Sequence, residues 1–218
     1  MKSSHSPEGD QVATYFHRHA ADFDAIYRRD TPGLRRLRDR LSRQTVVRRA
    51  DFVDEFADRF EPESALDVGC GSARFALRLA PKGTEVVGLD FAPDMITLAR
   101  KLVDDAGLSE RCTFVQADFL EWDPGRTFDL VLAIGVLDYV AEPDPLMKKL
   151  AASSNGHVIV SFPQRYHPLV PLRFARLRMS HCPVYFYTRR RVEEFGRRYL
   201  RQFEVKRFGR DYLLVGQP

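Results

Sequence analysis

The sequence predicts an α/β domain with a mostly parallel sheet, and three observations carry that expectation. Short apolar runs recur near residues 64–68, 85–90, 113–117 and 128–134, separated by stretches with helical spacing. The first run breaks into a glycine turn, Gly69-Cys70-Gly71, with a helical pattern expected from about Ser72. Acidic residues stand at or just after the ends of the first three runs, as Asp67, Asp90 and Asp118, on the edge where open α/β sheets bind ligands.

The elements follow in order. Residues 1–10 lack the apolar core of a secretory signal and read as a tail. Val12, Tyr15, Phe16, Phe23, Ile26 and Tyr27 suggest one helical segment; Leu34, Leu37, Leu41, Phe52, Phe56 and Phe60 trace a face of a longer one. Together they make an N-terminal tail and helical cap over 1–62, preceding a core over 63–218. In the core, helices are expected over 74–79, 94–106 and 145–152, with turns at Pro81-Lys82-Gly83 and Asp123-Pro124-Gly125. A fifth strand, 158–162, leads into 163–187, a segment rich in proline, arginine and aromatics that reads as a lid or substrate insert. Thr188 is placed to cap a helix running to about 200, and Gly209-Arg210-Asp211 joins two final strands, 203–208 and 212–215, as a hairpin.

With 218 residues, 34 basic against 30 acidic, the chain is long enough for one full core and too balanced for general disorder. No run of 18 apolar residues occurs, so no membrane span is expected, and the protein reads as cytoplasmic. Cys70, Cys112 and Cys182 have no paired spacing, which argues for reduced thiols rather than a disulfide or zinc framework. The six histidines form no ligating pattern, so no metal is expected.

The glycine turn carries the chemistry. In a dinucleotide-binding Gly-x-Gly-x-x-Gly motif the third glycine keeps helix and strand close, but that position is Arg74, which disfavours a dehydrogenase. Asp67, two residues before the first glycine, would repel a diphosphate and suits a cationic group such as an ammonium. Asp90 lies 19 positions after Gly71, the spacing of a ribose-binding carboxylate in a βαβ unit. Phe91 and Met95 follow where apolar side chains could cover an adenine ring.

With these residues, the chain resembles the class I S-adenosylmethionine-dependent methyltransferases, whose first motif is an apolar strand, an acid and Gly-x-Gly-x-Gly; here Ala73 replaces the third glycine. The resemblance, strongest to the ubiquinone and magnesium-protoporphyrin type, covers about residues 12–216. It implies a Rossmann-like sheet of seven strands with helices on both faces, mostly parallel with the last strand antiparallel. S-adenosylmethionine is the implied cofactor. The implied binding residues are Tyr15, Asp67, Gly69, Cys70, Gly71, Asp90, Phe91, Met95, Asp118, Phe119 and Ile134, with Asp118 and Phe119 on the adenine. Cys70 also reads as a small packing element of the turn.

The acceptor side is less defined. His167 is the first candidate for a base, because it follows strand five in a loop at the ligand-binding edge; His17 and His19 are weaker. Asp138 and Tyr139 follow strand four, where this family lines its transfer site, but its quinone-type members often carry Glu-His there. From Pro163 onward 13 basic residues face 4 acidic ones, whereas 63–162 holds 9 against 15. A basic lid could attract an anionic small molecule, or these arginines could simply be solvated. The run Arg189-Arg190-Arg191, with Arg197-Arg198, Tyr185, Phe186, Tyr187 and Tyr199, keeps an RNA or protein substrate open. A cofactor-binding protein without transfer activity is the third reading.

Overall fold

The computed structural model describes residues 35–167 and 183–218. Tyr15, His17, His19, Cys182 and most of the expected insert lie outside the described residues. Helix α1, Arg35–Phe60, corresponds to the long amphipathic pattern and buries Ala50, Val53, Phe56 and Ala57. The core then runs β1 (Ser64–Val68), α2 (Ala76–Leu79), β2 (Glu85–Asp90), α3 (Pro93–Asp105), β3 (Cys112–Gln116), β4 (Phe128–Ala133) and α4 (Pro143–Ala152). It continues through β5 (Ser154–Pro163), α5 (Arg189–Tyr199), β6 (Gln202–Phe208) and β7 (Asp211–Gln217).

The seven strands form one sheet in the order β3-β2-β1-β4-β5-β7-β6. Only β7 is reversed, pairing antiparallel with both β5 and β6, as expected for the last strand. β1 pairs with β2 on one side and β4 on the other, so the chain direction across the sheet switches beside β1. Ligands of open α/β sheets bind outside the carboxyl ends of strands at such a switch.

Helices cover both faces because buried strands alternate side chains between two apolar layers. On one face α1, α2 and α3 pack Val53, Leu79 and Ile96 against Leu130, Leu132 and Ile159. On the other, α4 and α5 pack Met147, Leu150 and Phe195 against Val131, Val160 and Phe162. Burying each such side chain contributes roughly 1.5–3 kcal/mol. Phe162 and Phe195 stack with ring centroids 5.6 Å apart, fixing α5 to β5. Thr188 caps α5 as expected, accepting a hydrogen bond from the Arg191 amide at 3.3 Å.

Most boundaries shift by a residue or two, and three of the differences have a clear physical cause. The helix expected at Ser72 begins only at Ala76, because Gly71 and Ala73 both adopt positive φ, 52° and 62°, which a right-handed helix cannot accommodate. Ala73 thus takes a conformation that favours glycine, at about 1–2 kcal/mol for an L-residue. α4 starts two residues early because Pro143 occupies its first turn, where proline's fixed φ suits a helix and its missing N–H is not needed. β5 extends back to Ser154, since pairing with β4 overrides the weak strand tendency of Ser154, Asn155 and Gly156.

Candidate active site

Three strand ends meet at the switch. The turn after β1 brings Gly69 and Cys70 beside β2, where their amides donate to the Leu89 carbonyl at 2.7 and 3.0 Å. Glycine is required at 69: φ is 71°, and a Cβ there would lie 2.5 Å from Val136 Cγ2 in the loop after β4. At Gly71 a Cβ would meet nothing within 4 Å among the described residues.

Asp90, at the end of β2, closes the corner. Its Oδ2 accepts from the Gly71 amide at 3.0 Å and its Oδ1 from the Ala92 amide at 2.9 Å. One carboxylate thereby joins the glycine turn to the start of α3. Each oxygen keeps a lone pair for another donor, which a pair of ribose hydroxyls would supply. Burial raises its pKa, opposed by these amides and that of Phe91.

Asp67 differs sharply. It is 1% exposed, and its Oδ2 is buried with no hydrogen-bond partner among the described residues. Burial, reinforced by the negative charge of Asp90 and opposed by Arg74, pushes its pKa up to about 8. A buried carboxyl without a donor is costly by itself, and a cationic ligand group would relieve it. Cys70 is buried, with its thiol pushed up by burial and by both aspartates, so it stays neutral. A Cβ on Gly88 would lie 3.0 Å from Cys70 Sγ, which makes the thiol a packing element against β2.

The remaining expected cofactor residues sit along the same edge. Phe91 is half-buried just after β2, and Met95 is buried in the first turns of α3. Asp118 is half-buried after β3 and accepts from the Leu120 amide at 2.8 Å. Phe119 is buried in the α4-side layer, with Lys149 Nζ 5.1 Å from its ring centroid. Ile134 is half-buried at the end of β4.

On the acceptor side, Asp138 is buried and Tyr139 half-buried in the loop after β4. The segment before α5 packs on that loop: the Tyr185 amide donates to the Asp138 carbonyl at 2.8 Å, and Tyr187 Oη donates to the Leu137 carbonyl at 3.1 Å. His167 stands beyond β5, half-buried, its pKa lowered by burial and by the charges of Arg210 and Arg207. The structure therefore places His167 near the β6–β7 hairpin end.

Sequence reasoning missed the network behind this loop. Ser161, fully buried on β5, accepts from the Gly135 amide at 2.7 Å and from Arg49 Nη1 at 3.3 Å. Arg49 also pairs with Asp211 at 3.0 Å, tying α1, β5 and β7 to the end of β4. Gln164 Nε2 donates to the carbonyls of Gly209 and Asp211 at 2.9 and 3.1 Å, holding the hairpin end. A lone serine in the apolar run Val158-Ile159-Val160-Ser161-Phe162 was a visible signal; the pairing of Arg49 with Asp211 had none.

The strand order, the glycine turn and the acid at the end of β2 define a class I S-adenosylmethionine-dependent methyltransferase fold. Residues 65–154 match the methyltransferase domain family, bearing out the resemblance read from the motifs. Among curated relatives, a ubiquinone biosynthesis O-methyltransferase of Azorhizobium caulinodans is 36% identical over 99 residues, which span 44% of this chain and 38% of the relative. The chain thus spans well under two thirds of that protein. Among solved structures, magnesium protoporphyrin IX methyltransferase from Synechocystis with bound S-adenosylmethionine matches with a TM-score of 0.76 and 18% identity, covering 100% of both chains. An O-methyltransferase family protein from Burkholderia thailandensis matches with a TM-score of 0.65 and 16% identity over 95% of this chain and 71% of that one.

Proposed function

We propose that the protein is an S-adenosylmethionine-dependent methyltransferase acting on a small molecule. The observation that carries this reading is Asp90, pinned between the amides of Gly71 and Ala92 with free lone pairs toward the turn. Asp90 holds the ribose hydroxyls and Asp67 faces a cationic group of the amino-acid moiety. Gly69, Cys70 and Gly71 shape the turn, and Phe91, Met95, Asp118, Phe119 and Ile134 would hold the rest of the cofactor, with Asp118 and Phe119 assigned to the adenine by the family resemblance. Tyr15 is assigned to the cofactor by the family resemblance alone. Residues 1–62 are assigned as the N-terminal tail and helical cap, and α1, its described part, packs on one face of the sheet.

S-adenosylmethionine supplies an activated methyl on a sulfonium sulfur. The protein's task is to hold the acceptor in line, and orientation of this kind contributes roughly 7–11 kcal/mol. His167, kept neutral near pH 7 by burial and neighbouring arginines, suits proton removal from a hydroxyl acceptor. Asp138 and Tyr139 line the acceptor side.

The same arginines near His167 favour an anionic acceptor, and a cytoplasmic setting fits the reading. Support for a small molecule over RNA comes from the α5 arginines. Arg189 and Arg190 pair with Glu193 and Glu194, and Arg191 and Arg198 with Asp144 of α4. Tyr187 is buried, and Tyr199 is half-buried against the α4-side layer with its hydroxyl donating to Asp144 at 2.7 Å, so Tyr187 offers no stacking face and Tyr199 is partly engaged within the fold.

Calorimetric titration with S-adenosylmethionine and S-adenosylhomocysteine, alongside Asp90→Ala, tests the proposal. Wild-type binding that the variant loses supports it, and a labelled-methyl screen of anionic metabolites follows. A folded wild type that binds neither ligand overturns it.

A further inference from the structure

We propose that the Asp67–Asp90 pair stores one proton on Asp67 in the ligand-free protein, and that binding of a cationic ligand group at the glycine turn expels it to solvent. The inference rests on the cofactor reading above and deepens it.

The placement of the proton follows from the donors. Asp90 receives two backbone N–H groups, one on each oxygen, which stabilise its charged form. Asp67 Oδ2 is sealed from solvent and receives no hydrogen bond among the described residues, so nothing compensates a charge there. The two carboxyl groups sit on paired strands, with Asp67 opposite Gly88, two residues from Asp90, and the charge of Asp90 opposes ionisation of Asp67. Two interacting buried carboxyls share protons as a unit, and the one without donors keeps the last proton.

The charged and titratable groups facing Asp67 are few. Asp90 raises its proton affinity from β2, and Arg74 of the turn lowers it without overcoming burial. The Cys70 thiol is neutral throughout. An arriving ammonium changes the balance by supplying the missing donor and the opposite charge. The O–H bond of Asp67 breaks, its electron pair remains as carboxylate, and the proton passes to buffer. Affinity for the ammonium group then rises with pH below the ionisation range of Asp67 and falls again once the ligand's own α-amino group deprotonates, at about pH 8.

The test is calorimetric titration with S-adenosylmethionine at about pH 6.5, where an α-amino group is still charged, in two buffers of different ionisation enthalpy. The difference in apparent enthalpy counts protons released. Close to one proton is expected from the wild type and none from Asp67→Asn. A second readout needs no ligand: the Asp67 carboxyl carbon, followed by NMR in the ligand-free protein, should titrate near 8. Binding with no proton released, equal release from Asp67→Asn, or an Asp67 already ionised at about pH 5 would each overturn the inference and leave the cofactor reading standing. A folded wild type that does not bind overturns both. Should Asp67→Asn fail to bind, the wild-type proton count and the carboxyl titration decide the matter.

Discussion

Two buried aspartates of the same sheet have opposite environments. Asp211, at the start of β7, is 4% exposed and meets the Arg49 guanidinium at 3.0 Å. Asp67, near the end of β1, is more deeply buried, and the charge that acts on it most is another carboxylate, Asp90, ahead of the opposing Arg74. A compensated buried charge ties elements together. A buried carboxyl without a donor gives the fold no such tie and keeps its proton, which marks Asp67 as a candidate ligand-facing group.

The largest expected effect tests the compensated side. Arg49→Met leaves Asp211 buried without its guanidinium and should lower unfolding free energy by about 3–5 kcal/mol in denaturant titrations. Adding Asp211→Leu should recover much of that loss. If Arg49→Met is neutral, the pair is no tie and the contrast with Asp67 collapses.

Asp67→Asn tests the uncompensated side, with the opposite sign. The carboxyl's folded-state pKa is raised, to about 8, so the native state binds more protons than the unfolded state between roughly pH 4 and 8. The stabilising effect of this group is therefore complete below about pH 4 and is lost as pH rises toward 8. Relative to Asp67→Asn, wild-type stability should fall with a slope of up to about 1.4 kcal/mol per pH unit across that window. Parallel stability–pH curves for the two proteins would show that Asp67 carries no such penalty.

Ser161→Ala probes the join between the two regions. It removes the acceptor for the half-buried Gly135 amide and one partner of Arg49, and should cost about 1–3 kcal/mol in thermal or denaturant unfolding. The loop bearing Asp138 should loosen with it, measurable as faster amide exchange at Gly135. The smallest effect belongs to Ala73→Gly. It relieves a positive φ but frees the unfolded chain and removes a fully buried methyl, so these terms offset and stability should change by less than about 1 kcal/mol. A loss of more than that would mean the Ala73 methyl packs more tightly than its backbone strain offsets.

Much of the fold was legible because each strand end announced itself locally. Glu85–Asp90 was read with its observed limits, and the α3 and α5 boundaries fell within a residue or two. Misreadings came where a local rule met a conflicting one. The pattern after Gly71 looked helical, yet Ala73 was turned left-handed by the geometry the turn must adopt. The β5 start looked like loop, yet hydrogen-bond pairing with β4 recruited Ser154.

The sequence by itself determined the alternation of strand and helix, the glycine turn and the three acids at strand ends, since periodicity, φ preference and spacing are properties of neighbouring residues. Only the tertiary structure decided that Asp90 would be satisfied by two amides and Asp67 left without a donor among the described residues. It also decided that Arg49 would cross from α1 to reach Ser161 and Asp211. Burial and partnership depend on which distant elements meet, and two carboxylates of identical chemistry acquire different protonation from surroundings that no local stretch of chain encodes.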